Sequence, residues 1–201
     1  CYGIPAVKTV RIGTKEELTK EAQQLSYPLV LKVDAEEIVH KSDAGGVYLD
    51  LKDEASLLDA FDEMAHKFKK HNPAFVLQEQ LAGGKEVIMG SKSNEGLGPT
   101  LMFGLGGVFV ETLKDVQFSL APLSRQDALE MIRSIKGYPV LEGVRGATPV
   151  DINGLAETLI RLSQLSSDLP EIDEVDLNPV FAFEEGKGVV VADARLKIRN
   201  A

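Results

Sequence analysis

LVLKVDAEEIVHKSDAGGVYLDL, residues 29–51, joins two strand patterns through a loop of polar residues and glycines. LVLKV (29–33) is a continuous apolar run broken by one lysine, which reads as a buried strand. VYLDL (47–51) alternates and reads as a strand with one wet face. A buried ammonium without a partner is strongly disfavoured or gives up its proton, so Lys32 calls for an anion. Taken alone, Lys32 equally suits a side chain that snorkels from a strand edge to water. Between the strands, HKSDAGGV (40–47) carries His40 into the pair Gly45-Gly46. Two adjacent glycines let backbone N–H groups approach an anion without hindrance from a Cβ. The same pair between two strands is also hairpin chemistry, and a lone histidine is more often a surface group than a catalyst.

Outward from this stretch, Thr14 and Glu17 form a capping box, and Leu18, Ala22 and Leu25 mark one helical face that Pro28 ends. Residues 54–70 give the clearest helix, with Leu57, Leu58, Phe61, Met64, Ala65 and Phe68 along one side. Acidic residues open it and Lys67, Lys69 and Lys70 close it, as the macrodipole favours. FVLQE (75–79), EVIMGSK (86–92) and TLMFG (100–104) read as strands, with a Gly83-Gly84 turn after the first. Helices are expected from Ser124 and from Asp151. EVDLNPVF (174–181) and GVVVADARL (188–196) read as two closing strands. There is no strict βαβ rhythm, so the fold class expected is α+β in two lobes, residues 1–80 and 81–201, meeting near Gln78–Gly84.

The closing strands hold the third chemical signal. Asp176 and Asn178 alternate with Leu177, and Asp193 lies in an apolar strand two residues before Arg195. Three oxygen ligands on neighbouring strands suit a hard cation such as Mg²⁺. An Asx turn at Asn178-Pro179 with a plain Asp–Arg ion pair is the simpler alternative, yet it leaves a carboxylate flanked by GVVVA in need of a partner.

The totals narrow the classes. The chain has 201 residues, 44% hydrophobic and 26% charged, enough for a sizeable core. A net charge of −9 with no basic run argues against nucleic acid and anionic membrane as partners. One cysteine, Cys1, allows no internal disulfide, which suits a reducing, cytoplasmic setting. No apolar run is long enough for a bilayer, because Gly104, Gly106 and Gly107 interrupt the longest. The opening CYGIP, without Met, reads as a piece of a longer polypeptide or a trimmed chain. Neither GxxxxGK[ST] nor GxGxxG is present; in GLGGVF (104–109) Phe109 stands at the third glycine.

The order of a strand lysine, a glycine turn, a strand ending in Gln78-Glu79 and late carboxylate–amide ligands resembles the ATP-grasp fold, two α+β lobes that clamp a nucleotide. YGIP, VLKV…HKSDAGGV, VLQE with GGKEV, GPTLMFGLGGVFVE, LKDVQFSLAPL, KGYPVLEGVRG and EVDLNPV…VADARL narrow the resemblance. Together they resemble the nucleotide-binding β subunit or domain of ADP-forming acetyl-CoA synthetases, relatives of succinyl-CoA synthetase. The resemblance implies ATP or ADP with Mg²⁺, and a CoA-binding α subunit or domain that carries a phosphohistidine, fused or in a hetero-oligomer. It implies that Lys32 binds the phosphates, that Gly45-Gly46 closes over them, and that Gln78 and Glu79 hold adenine and ribose, with Glu86 nearby. Asp176, Asn178 and Asp193 would hold Mg²⁺, and Arg195 would face the phosphates. His40 would be a second phosphoryl carrier, with Glu111 orienting it or supporting the metal. One departure is Ser119, which stands where many members have arginine. It keeps a regulatory, non-catalytic domain of a protein-lysine acetyltransferase as the alternative.

Overall fold

A computed structural model describes residues 1–35, 44–71, 73–107 and 115–199, the Arg145 side chain excepted. His40 and Glu111 lie outside the described residues. The chain divides into two compact units, Val7–Ala82 and Cys1–Ala6 with Gly83–Ala201.

The smaller unit is an antiparallel sheet in the order β1-β4-β2-β3. Its strands are β1 (Thr9–Ile12), β2 (Leu29–Asp34), β3 (Val47–Leu51) and β4 (Ala74–Glu79). One face is covered by α1 (Lys15–Ala22) and α2 (Glu54–Lys67). Both helices start on reciprocal caps: Glu17 N–H donates to Thr14 Oγ1 at 3.2 Å, and Ser56 N–H to Asp53 Oδ1 at 2.8 Å. Alternate positions Leu29, Leu31 and Val33 of β2 and Phe75 and Leu77 of β4 turn to the helices, meeting Leu18, Leu57, Phe61 and Met64. Phe61 and Phe75 lie 4.8 Å apart between ring centroids. The helix expected over 54–70 ends at Lys67 and tightens into a 3₁₀ turn, Lys69–His71. In β3 the pairing shifts by one residue between Leu29 and Leu31, and Asp50 takes φ 59° there.

The larger unit is a six-stranded sheet in the order β10-β8-β5-β6-β7, with β9 also paired to β8. Its strands are β5 (Lys85–Asn94), β6 (Gly98–Leu105), β7 (Val116–Leu120), β8 (Ile172–Ala182), β9 (Val189–Val191) and β10 (Ala194–Ile198). The helices of this unit are α3 (Arg125–Arg133), α4 (Tyr138–Glu142) and α5 (Ile152–Asp168). Leu155, Ala156, Leu159 and Leu162 of α5 pack in one core with Val87, Met89, Leu101, Phe103 and Leu177. Asp151 begins α5 by accepting from Gly154 N–H at 2.7 Å, and its other oxygen takes Gly188 N–H at 3.1 Å. The N-terminal residues belong here: Val191 N–H donates to Pro5 O at 2.8 Å, Arg161 to Gly3 O, and Tyr2 OH to Asp168 at 3.1 Å. The single strand expected over 188–196 is two, broken at Ala192-Asp193.

Candidate functional site

In the smaller unit, Lys32 sits mid-β2, directly opposite Val76 of β4 and Val47 of β3. Gln78 pairs with Val30, two residues from Lys32, so both project from the sheet face opposite the helices. Both are buried, Lys32 to 7% exposure and Gln78 to 4%, and both have polar or ionic partners. The cross-strand ion pair Arg11–Asp34, 3.2 Å, lies on the same face, since Arg11 also opposes Val76. Glu79 is one residue on and points the other way; its carboxylate accepts the Ser26 N–H at 2.8 Å. The structure therefore brings Lys32 and Gln78 together and turns the Glu79 side chain aside.

The glycine turn begins β3 beside Lys32. Gly45 has φ 64°, a left-handed value open to glycine, and the Gly46 carbonyl accepts from Val33 N–H at 2.8 Å. The ammonium of Lys67, the last residue of α2, donates to the Gly45 carbonyl at 3.4 Å. By its sequence position Lys67 is marked only as a basic residue at the helix end. A contact across 22 positions leaves no periodic trace in the sequence.

In the larger unit, β8 carries Asp176 and Asn178, β10 carries Arg195, and Asp193 lies in the break just before β10. Arg195 is directly opposite Asp176, and Asn178 N–H donates to the Asp193 carbonyl at 3.1 Å. Asp193 turns one carboxylate oxygen onto the Ala194 N–H at 3.0 Å. Burial pushes the Asp176 carboxyl above the usual carboxylate range. Arg195 opposes that shift, while Glu174 and Asp193 add to it. On the other side Asp176 faces Gly90 of β5, so no side chain stands beside it there. A metal would meet two carboxylates and one amide. Among the described residues no group of three His, Cys, Asp or Glu side chains is placed to hold an ion. Crowded, partly buried carboxylates with Asn178 alongside form an oxygen donor set that fits a hard divalent cation.

Glu86 is on β5 four residues from Gly90, about 13 Å along the strand from the Asp176 row. It stands instead beside the glycine segment after β6: Gly106 N–H donates to Glu86 O at 2.7 Å. A Cβ on Gly106 would lie 2.9 Å from the Glu86 backbone, so only glycine allows this approach. The described chain resumes at Asp115, a buried carboxylate that accepts from Lys136 N–H at 2.8 Å and Gly137 N–H at 2.6 Å. Asp115, like Lys67, carried no motif that singled it out.

The buried strand lysine and the glycine turn belong to the smaller α+β unit, and the acidic sheet face belongs to the larger. Comparison with known proteins gives the family: the ATP-grasp domain model matches residues 1–198, and the chain belongs to that family. The chain is 45% identical over 200 residues to 4-hydroxybutyrate–CoA ligase [ADP-forming] of Nitrosopumilus maritimus, covering 97% of this chain and 29% of that protein. It is 42% identical over 200 residues to the acetate–CoA ligase [ADP-forming] I subunit beta of Pyrococcus furiosus, covering 97% of this chain and 85% of that one. The chain thus spans under a third of the first relative and most of the second. Among solved structures it resembles acetyl-coenzyme A synthetase 1 of Ca. Korarchaeum cryptofilum in complex with coenzyme A, Ca-AMPCP and HgCl+. That match has a TM-score of 0.93 and 41% identity, over 98% of this chain and 88% of that one. The same protein is known with coenzyme A and Mg-AMPPCP, its phosphohistidine segment pointing towards the nucleotide binding site (TM-score 0.85).

Proposed function

We propose that this chain is the nucleotide-binding part of an ADP-forming acyl-CoA ligase, which moves a phosphoryl group between phosphohistidine and ADP. The observation that carries this is Lys32, a cation 7% exposed in an apolar strand, beside a glycine turn in a chain of this family. In the synthesis direction the N–P bond of phosphohistidine breaks and an O–P bond to the ADP β-phosphate forms. Lys32 neutralises charge on the phosphates, and the Gly45-Gly46 backbone lies along them. Gln78 offers its amide to the base or ribose; the Glu79 carboxylate, held by Ser26, leaves Glu79 a main-chain role. Asp176, Asn178 and Asp193 would hold Mg²⁺, which when bound would supply positive charge to screen the phosphates. Arg195 balances Asp176 and would offer its charge to the phosphates. Glu86 acts as a support beside the Gly106 segment. His40 remains the proposed phosphoryl carrier and Glu111 its proposed aid.

The partner in this reading is a CoA-binding part with its own phosphohistidine, fused or separate. The matched segment is as alike in a 4-hydroxybutyrate ligase as in an acetate ligase, 45% and 42%. That supports an acid-selecting site outside this chain. The relatives reported above are ligases, which favours the catalytic reading over the regulatory one. The test is to combine the chain with its CoA-binding part, acetyl-CoA, ADP, phosphate and Mg²⁺ and to measure ATP. ATP formation that His40→Ala abolishes is expected; failure of the wild type, or full activity of the variant, refutes the relay.

A further inference from the structure

The Gly45 turn is gripped from the helix side as well as from the sheet. Lys67 ends α2, which is seated by the buried residues Leu57, Ala60, Phe61 and Met64 and started by the Asp53–Ser56 cap. Its ammonium lies 5.4 Å from the centroid of the Phe68 ring and donates to the Gly45 carbonyl. A Cβ built on Gly45 would fall on that ammonium, so the lysine head fills the space that a side chain would take. On the far side of the turn, the Gly46 carbonyl is tied to Val33 and Val47 pairs with Lys32. The Gly45-Gly46 peptide is trans, so its C=O and N–H point in opposite directions. Holding the Gly45 carbonyl toward α2 therefore fixes the Gly46 N–H away from α2.

We propose that Lys67 is a positioning residue: by holding the Gly45 carbonyl it sets the peptide plane that presents the Gly46 N–H to a nucleotide phosphate. The proposal rests on the nucleotide reading above and adds to it a residue that touches no substrate. It explains why a left-handed glycine and a helix-terminal lysine, 22 positions apart, meet at one carbonyl.

The test uses the whole chain with Lys67→Met, which keeps the stem and removes the ammonium, and Lys67→Arg, which restores a donor. Calorimetry with ADP and Mg²⁺ is expected to show about three- to tenfold weaker binding for Lys67→Met, the range of one net hydrogen bond. Binding of adenosine should be unchanged, since it has no phosphate, and Lys67→Arg should recover most of the loss. Gly45→Ala should lose less in the Lys67→Met background than alone, because the Ala Cβ then no longer meets an ammonium. Without any ligand, the ¹⁵N amide resonance of Gly46 should move in Lys67→Met and return in Lys67→Arg. Unaltered ADP affinity, an equal loss for adenosine, or an unmoved Gly46 resonance overturns the inference. If the wild type binds neither ligand, the nucleotide reading fails separately, and the Gly46 resonance still decides the role of Lys67.

Discussion

Replacing Asp115 by alanine tests a buried polar contact in the larger unit. The carboxylate is 5% exposed and takes two backbone N–H groups, those of Lys136 and Gly137, at 2.8 and 2.6 Å. These amides follow α3 and precede α4, where no intrahelical carbonyl serves them. Hydrogen bonds to a charged acceptor contribute about 1.5–3 kcal/mol each, and alanine leaves both donors without their acceptor. Recovery of the hydration lost by a buried carboxylate offsets part of the sum, so a loss of about 3–5 kcal/mol is expected. For a chain of this size that corresponds to roughly 6–20 °C in the melting transition. Asp115→Asn keeps one acceptor oxygen and should fall between alanine and wild type. Scanning calorimetry gives the shift, and hydrogen exchange at Lys136 and Gly137 localises it. A change below about 1 kcal/mol, or undiminished protection of both amides, would show that the geometry does not carry the stability assigned to it.

Lys32→Met should keep the fold, since the stem is matched, yet weaken ADP·Mg²⁺ binding by about 10–100-fold, the scale of a charge-assisted contact; calorimetry checks it. Asp176→Asn should raise the melting temperature of the ligand-free chain, because it removes a charge that burial, Glu174 and Asp193 disfavour. The same variant should lower the response of nucleotide affinity to Mg²⁺ by roughly tenfold or more, read by titration. Phe103→Ala, at a fully buried position, should destabilise by about 3–5 kcal/mol in denaturant unfolding. In acid, Asp53 and Asp127 have carboxyls held below their ordinary value by backbone and hydroxyl donors from Ser56 and Ser124. Their stabilisation is present above the unfolded value and is lost as pH falls through the lower folded value. Melting curves of Asp53→Asn and Asp127→Asn should therefore separate from wild type above the ordinary aspartate range and converge with it as pH falls below that range.

Much of the architecture was legible because its signals are local. The capping box at Thr14, the apolar stripe of α2 with its acidic start, and the run around Lys32 each declare an element within a few residues. Alternation about Leu177 put Asp176 and Asn178 on one face, whereas the register that sets Arg195 opposite Asp176 is not written in either strand alone. The break at Ala192-Asp193 was not legible, because GVVVADARL keeps a strand-like composition through it. The short helix α4 hid behind Gly137 and Pro139: proline ends a helix from within but opens one in its first turn, which is where Pro139 stands. Glu79 shows the limit at side-chain level. Sequence put it with Gln78, whereas strand alternation and the Ser26 amide send its carboxylate to the opposite face. Lys67 and Asp115 act through contacts to distant main-chain groups, and no spacing rule records such contacts.

The smaller unit is spliced into the larger one at Ala6-Val7 and Ala82-Gly83. Its incoming and outgoing strands are antiparallel neighbours, Thr9 against Gln78, so its two ends emerge side by side. Such an insert is excisable: a bridge of a few residues from Ala6 to Gly83 would close the six-stranded unit into an uninterrupted polypeptide, with the Pro5–Val191 contact retained. Grafting and exchange of lobes between relatives can therefore be done at two adjoining seams, without cutting a strand.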